Sequence, residues 1–125
     1  GTDRENIRRK NLSRFKKCLD LENPSKTSVI TGKQIEDSEL SIDHVIPWSY
    51  LYSDDIWNLV YVEKSQNSSK NNRIPDECSV SELESRNLRI LHLLDENGIQ
   101  DKDTEELRLS VEKDFVRKNW GGCRG

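Results

Sequence analysis

A chain of 125 residues that is 34% charged and 32% hydrophobic has room for one domain around a small core. Its net charge of −3 excludes a surface that is basic all over. No apolar run reaches membrane-spanning length, and no basic-then-apolar leader is present. No membrane partner is therefore expected, and the expected location is the cytoplasm. Cys18, Cys78 and Cys123 are odd in number and widely scattered, which fits neither a disulfide framework nor a metal cluster, so free thiols are expected. The absence of methionine leads us to expect a domain taken from a longer parent protein, whose other domains would be its partners.

From Asp3 to about Leu21 the spacing of Ile7, Phe15, Cys18 and Leu19 predicts a helix, closed by Asn23-Pro24. Its opposite face is basic. Arg8, Arg9, Lys16 and Lys17 are candidate nucleic-acid contacts, because a basic stripe neutralises phosphates and gives salt-dependent affinity. An ordinary solvated face fits the same residues. Residues 29–35 predict a small hairpin around Gly32-Lys33. Glu39 to Ile46 predicts a short strand that Pro47 ends, and Asn58 to Val62 its partner. Between them, residues 47–55 form a loop of aromatic and polar residues that is a candidate substrate contact. The polar run 63–72 predicts a short helix in which Asn67 and Lys70 share a face.

Beyond Pro75, Ser81-Glu82-Leu83-Glu84 has the pattern of a capping box. Leu83, Asn87, Ile90, Leu91 and Leu94 continue at helical spacing until Gly98. A last helix is expected from about Thr104 to Asn119, with Leu107, Val111 and Phe115 on one stripe and Gly121-Gly122 ending it. These helices are expected to pack on the basic N-terminal one. His92 stands in an apolar helical stretch without an acidic partner in a recognisable motif and reads as structural. Trp48, Trp57 and Trp120 read as core or partly buried residues before they read as base-stacking ones.

The chemistry concentrates in Asp43-His44, Asn58 and Asn67. Cutting a phosphodiester in line needs a base to activate water and a cation to shield the phosphate. An imidazole with a pKa of roughly 6.5 is suited to the first task. His44 is the candidate general base. Asp43 and Asn67 offer oxygen donors of the kind that hold magnesium or manganese while leaving positions for water and phosphate. Strand alternation points Asp43 and His44 to opposite faces, so they can do separate jobs. Taken singly, an Asp-His pair is an ordinary surface feature and an asparagine an ordinary turn or cap residue. The order and spacing of the set carry the inference.

Written as a pattern, D-H-x13-N-x8-N-x2-K over about Thr31 to Pro75 resembles the HNH endonucleases. It is particularly similar to the HNH domain of the RNA-guided CRISPR effector nucleases. That resemblance implies a ββα-metal core in which Asp43 and Asn67 hold one magnesium, His44 activates water and Asn58 orients the His44 loop. Lys70 and Arg73 would contact phosphate, although a solvated face fits these two as well. Hydrolysis would leave a 5′-phosphate and a 3′-hydroxyl, and the resemblance favours DNA over RNA as substrate, in a restriction or defence setting among others. Many members carry C-x-x-C pairs around the site. This chain has none, so no structural zinc is expected. Asn67 in place of a histidine makes an H-N-N variant, which argues for Mg2+, with Mn2+ as a substitute.

The fold class expected is α+β, a small ββα-metal core braced by flanking α-helices. Residues 1–26 would form the basic N-terminal helix, 27–76 the nuclease core and 77–125 a C-terminal helical pair packed on it, all as one domain. The activity expected is metal-dependent DNA hydrolysis. The alternative is a catalytically inactive HNH-fold module that binds nucleic acid or protein within a larger chain. Oligomeric state is open.

Overall fold

Strand β1 (Leu40–His44) and strand β2 (Leu59–Glu63) pair antiparallel, with Leu40 opposite Glu63, Asp43 opposite Val60 and His44 opposite Leu59. The computed structural model describes residues 12–66 and 73–124. Leu59-Val60-Tyr61-Val62 is an unbroken run of apolar and β-branched or aromatic residues, and all four are buried. Such a run suits a strand covered on both faces. Residues 64–66 turn helical directly after β2, which completes the order strand, strand, helix.

Among the described residues five further helices flank this core: α1 (Lys16–Glu22), α2 (Trp48–Leu51), α3 (Glu77–Glu96), α4 (Lys102–Glu112) and α5 (Phe115–Arg124). The chain is thus an α+β fold, a ββα core with flanking helices. Helix α3 is the brace, packing against α1, α4 and α5. Its stripe of Val80, Leu83, Ile90 and Leu94 is buried with Phe15, Leu19, Ile56, Leu59 and Leu107 in one core. Each large apolar side chain so covered contributes roughly 1.5–3 kcal/mol. Helix α1 is tied to β2 by the Tyr61 hydroxyl, which donates to Asp20 Oδ1 at 2.6 Å, while Lys26 Nζ lies 3.4 Å from the same oxygen. Burial first, and then the bond to Asp20, pushes the Tyr61 phenol well above its ordinary range. Arg117 Nε donates to Glu84 and Nη1 to Glu77, clipping α5 to α3.

Several elements differ from the sequence expectation. Residues 12–22 are helical, with a 3-10 turn at Ser13–Phe15, and the rest of the predicted N-terminal helix lies outside the described residues. The hairpin shrinks to one bridge between Thr27 and Gln34, and Val29 and Ile30 are exposed at its tip. β1 ends at His44 because the backbone bends over Val45-Ile46 before Pro47. Helix α3 is capped by Asp76, not by Ser81. The Asp76 side chain accepts from Ser79 N at 2.8 Å, which leaves Ser81 inside the helix.

The predicted final helix is broken. Asp114 adopts a left-handed conformation with φ of 54°, separating α4 from α5. The break turns Val116, Trp120 and Cys123 onto the core, and Trp120 Nε1 donates to Pro75 O at 2.7 Å. Gly121-Gly122 lie within α5, where the buried flanking residues Trp120 and Cys123 outweigh a cost of about 1 kcal/mol per helical glycine. Gly98, with φ of 66°, does stop α3. His92 is exposed, and its Nε2 lies 3.0 Å from Glu96, the acidic partner one turn on that the sequence reading overlooked. Trp57 and Trp120 are buried, Trp48 half-buried. The three cysteines form no disulfide, and burial pushes the Cys18 thiol up to about 11. Among the described residues no helix is long and apolar enough to cross a membrane.

Asp101 caps α4 by accepting from Thr104 N at 2.9 Å, and chiefly through that bond its carboxyl lies below the ordinary 3.8. The folded state therefore gains stability from this group above pH 3.8 and loses it as pH falls through the lower folded value. Asp101→Ala should cost about 0.5–2 kcal/mol at neutral pH in urea unfolding. The difference from the parent should close as pH falls below the lowered folded value. A difference that persists in acid would show that the carboxylate is not its source.

Candidate active site

The antiparallel register settles where the two adjacent polar residues of β1 go. Alternation sends Asp43 and His44 to opposite faces, leaving Asp43 half-buried and His44 only 6% exposed. Beyond His44 the chain leaves the ladder after one more bond, Val45 N to Asn58 O at 2.9 Å. The next residue is held by a side chain in place of a strand. Asn58 Oδ1 accepts from Ile46 N at 2.8 Å, and its Nδ2 donates to Ile46 O at 2.9 Å. An amide is the side-chain group that can replace both halves of a backbone pairing at once. Asn58 is 1% exposed and closes a 3-10 turn at Ile56–Asn58, one residue before β2.

That turn is itself gripped from behind by α3. Arg86 Nη1 donates to Leu59 O, Arg86 Nη2 to Ile56 O at 3.0 Å, and Asn87 Nδ2 to Trp57 O at 2.8 Å. Arg86 Nε donates to Asn87 Oδ1 at 3.0 Å, which locks the pair together. Burial pushes the Arg86 guanidinium down to about 10, so it remains protonated at neutral pH. Charged donors make strong bonds to carbonyl oxygens, and these carbonyls sit where water does not reach.

His44 has a partner that the sequence reading did not identify. Its Nε2 lies 2.7 Å from Asp54 Oδ1, across the loop that leaves β1 and returns to β2. A carboxylate only accepts, so Nε2 carries the proton and Nδ1 is the nitrogen with the lone pair in the neutral ring. The local signal was an acid ten residues downstream with a proline between, but Asp55 offered the same signal. Asp55 instead accepts from Ser53 Oγ at 2.7 Å.

Asp43, His44 and Asn58 thus meet at one end of the two-stranded sheet. Asn67 and Lys70, together with Arg8 and Arg9, lie outside the described residues. Arg73 is exposed just before α3, and Lys16 and Lys17 are exposed on α1. Among the described residues no group of three or more His, Cys, Asp or Glu side chains is placed to hold a metal. A cation at this site would draw on the Asp43 carboxylate, whose hard oxygen donors suit magnesium, with solvent and phosphate oxygens completing its shell.

Comparison with known proteins bears on this geometry directly. Residues 28–76 match the model of a family described as HNH endonuclease, which supports the resemblance read from the sequence. The matched span contains β1, β2, the Asp54 loop and Asn58, and stops at the cap of α3. No curated protein matches the chain.

Removing the Asn58 amide strands the buried Ile46 N–H and C=O. Asn58→Ala should cost about 2–4 kcal/mol, from two lost bonds and the desolvated groups left behind. Native-state hydrogen exchange at the Ile46 amide should accelerate beyond what the global loss explains. Unchanged relative protection at Ile46 would remove the residue from this role.

Proposed function

We propose that the chain is a metal-dependent endonuclease that hydrolyses phosphodiester bonds of DNA, with His44 as general base. The reading rests above all on the His44–Asp54 pair within a segment that matches the HNH family. Asp54 holds the Nε2 proton, which fixes the ring orientation, and Nδ1 is the nitrogen that would take a proton from the attacking water. Asn58, by holding the backbone of Ile46, keeps the chain after His44 in place. Asp43, beside His44 but on the other face of β1, would hold Mg2+ together with Asn67, and Mn2+ would substitute. When bound, that cation neutralises phosphate charge and stabilises the departing 3′ oxygen. Lys70 and Arg73 are assigned to phosphate contact, and Arg8, Arg9, Lys16 and Lys17 to a sequence-independent basic stripe. We place the three segments of the chain in one domain, with the C-terminal helices bracing the nuclease core.

A positioned base contributes typically 10²–10⁴ in rate. His44→Ala should therefore lose roughly 10²–10⁴-fold in nicking of supercoiled plasmid with magnesium or manganese, while DNA affinity is retained. Nicking retained by the variant would reject the base. No metal-dependent nicking by the parent would favour an inactive HNH-fold binding module. Asp54→Ala should lower kcat by about 10²-fold with little change in KM, since a misplaced reacting group costs that much. Asp43→Ala should abolish magnesium binding in calorimetry, and undiminished binding would contradict its role as ligand.

The basic stripe predicts a salt-dependent affinity. Lys16→Gln with Lys17→Gln should flatten the dependence of log affinity on log salt by about 0.7–0.9 per contact removed. An unchanged slope in fluorescence-anisotropy titrations would take these two lysines out of the interface.

A further inference from the structure

The aromatic side chains of this protein divide sharply. Phe15, Trp57, Tyr61 and Trp120 are buried, Phe115 is half-buried against the core, and Trp48 is half-buried. The two that stand in solvent are Tyr50, 49% exposed, and Tyr52, 70% exposed. Both are on the loop between His44 and Asn58.

That loop is tied twice at its base, by Asn58 to Ile46 and by Asp54 to His44. Its tip is therefore held beside the catalytic imidazole. The tip is built as well as held: α2 makes one turn, and Tyr52 closes it in a left-handed conformation with φ of 55°, its N–H donating to Trp48 O at 2.7 Å. A bulky L-residue disfavours that conformation. The Tyr52 ring meets Trp48 at 5.0 Å and 76°, edge to face, and still keeps most of its surface in solvent.

The charge on the loop decides what it would meet. Residues 45–57 contain no lysine or arginine and include Asp54 and Asp55. Such a loop repels phosphate. It offers a nucleic acid aromatic surface without backbone attraction, and a base inside a duplex has both faces already stacked.

We infer that Tyr50 and Tyr52 form a stacking surface for an unpaired nucleobase next to the phosphate cut at His44, so that the chain prefers DNA with single-stranded character over intact duplex. The inference rests on the nuclease reading for the position of the scissile phosphate. It does not need catalysis for its test. Base-aromatic stacking is sequence-tolerant, and its loss by alanine substitution corresponds to roughly 5–150-fold in affinity.

The test uses the full chain in chelator, which suppresses metal-dependent cleavage and keeps both ties at the base of the loop, with oligonucleotides containing 2-aminopurine at spaced positions, either single-stranded or fully paired. Single strands should bind more tightly than duplex and show quenched aminopurine fluorescence. Tyr50→Ala or Tyr52→Ala should weaken single-strand binding by roughly 5–150-fold, relieve the quenching and leave duplex binding unchanged. Tyr52→Phe should behave as the parent, because the ring and not the hydroxyl does the stacking. Equal loss on single strand and duplex, no loss on either, or a Phe variant as weak as the Ala variant would each overturn the inference. Both side chains are exposed, so the variants should fold, which circular dichroism checks. Plasmid nicking by the same chain with magnesium restored separates the two ideas. If it nicks and the tyrosine variants bind normally, only the stacking surface falls.

Discussion

One asparagine side chain holds the site together. Asn58 replaces a strand where the backbone of Ile46 leaves the ladder, and it can do so because its own backbone is immobilised on the far side by Arg86 and Asn87. The sequence of constraints runs from a long helix, through three carbonyls, to one amide, and from that amide to the residue two places after His44. Every link lies where water cannot substitute for a lost partner, so none can slip without leaving a buried polar group bare. A loop needs little packing of its own when its ends are fixed in this manner.

The register of the two strands adds a second constraint. Asp43 faces Val60 and His44 faces Leu59 across the ladder. A slip of one residue would exchange the faces of the carboxylate and the imidazole. The apolar run of β2, buried on both sides, does not by itself forbid that slip. The Asn58 bridge does, because it fits Ile46 and no neighbour.

Parts of this were legible in the sequence for identifiable reasons. The strands could be read because Leu59-Val60-Tyr61-Val62 is apolar and bounded by turn-forming residues, and because Pro47 sets a limit to β1. The stripe of α3 could be read from Leu83, Ile90 and Leu94 at helical spacing, and its end from Gly98. The start of α3 could not, since Asp76 and Ser81 both look like caps and only the packing of Val80 chooses between them. The break at Asp114 was hidden because the stripe of Leu107, Val111 and Phe115 continues through it. What defeats a one-dimensional reading is the need to bring Trp120 and Cys123 back to the core. Asp54 was hidden by its neighbour Asp55, which is chemically the same. Arg86 was hidden by its charge, since an arginine in a polar helix is usually solvated. Its burial becomes intelligible only when the carbonyls of a turn 30 residues away are laid against it.

The grip of α3 on the turn before β2 has a consequence for anyone wishing to move this unit into another scaffold. The stretch that matches the HNH family ends at residue 76, while the donors that satisfy Ile56, Trp57 and Leu59 come from residues 86 and 87. A graft cut at the edge of the matched stretch would carry Asp43, His44, Asp54 and Asn58 and leave behind their foundation. The smallest transplantable piece is therefore defined by hydrogen bonds, and it extends at least one helix further than likeness of sequence would suggest.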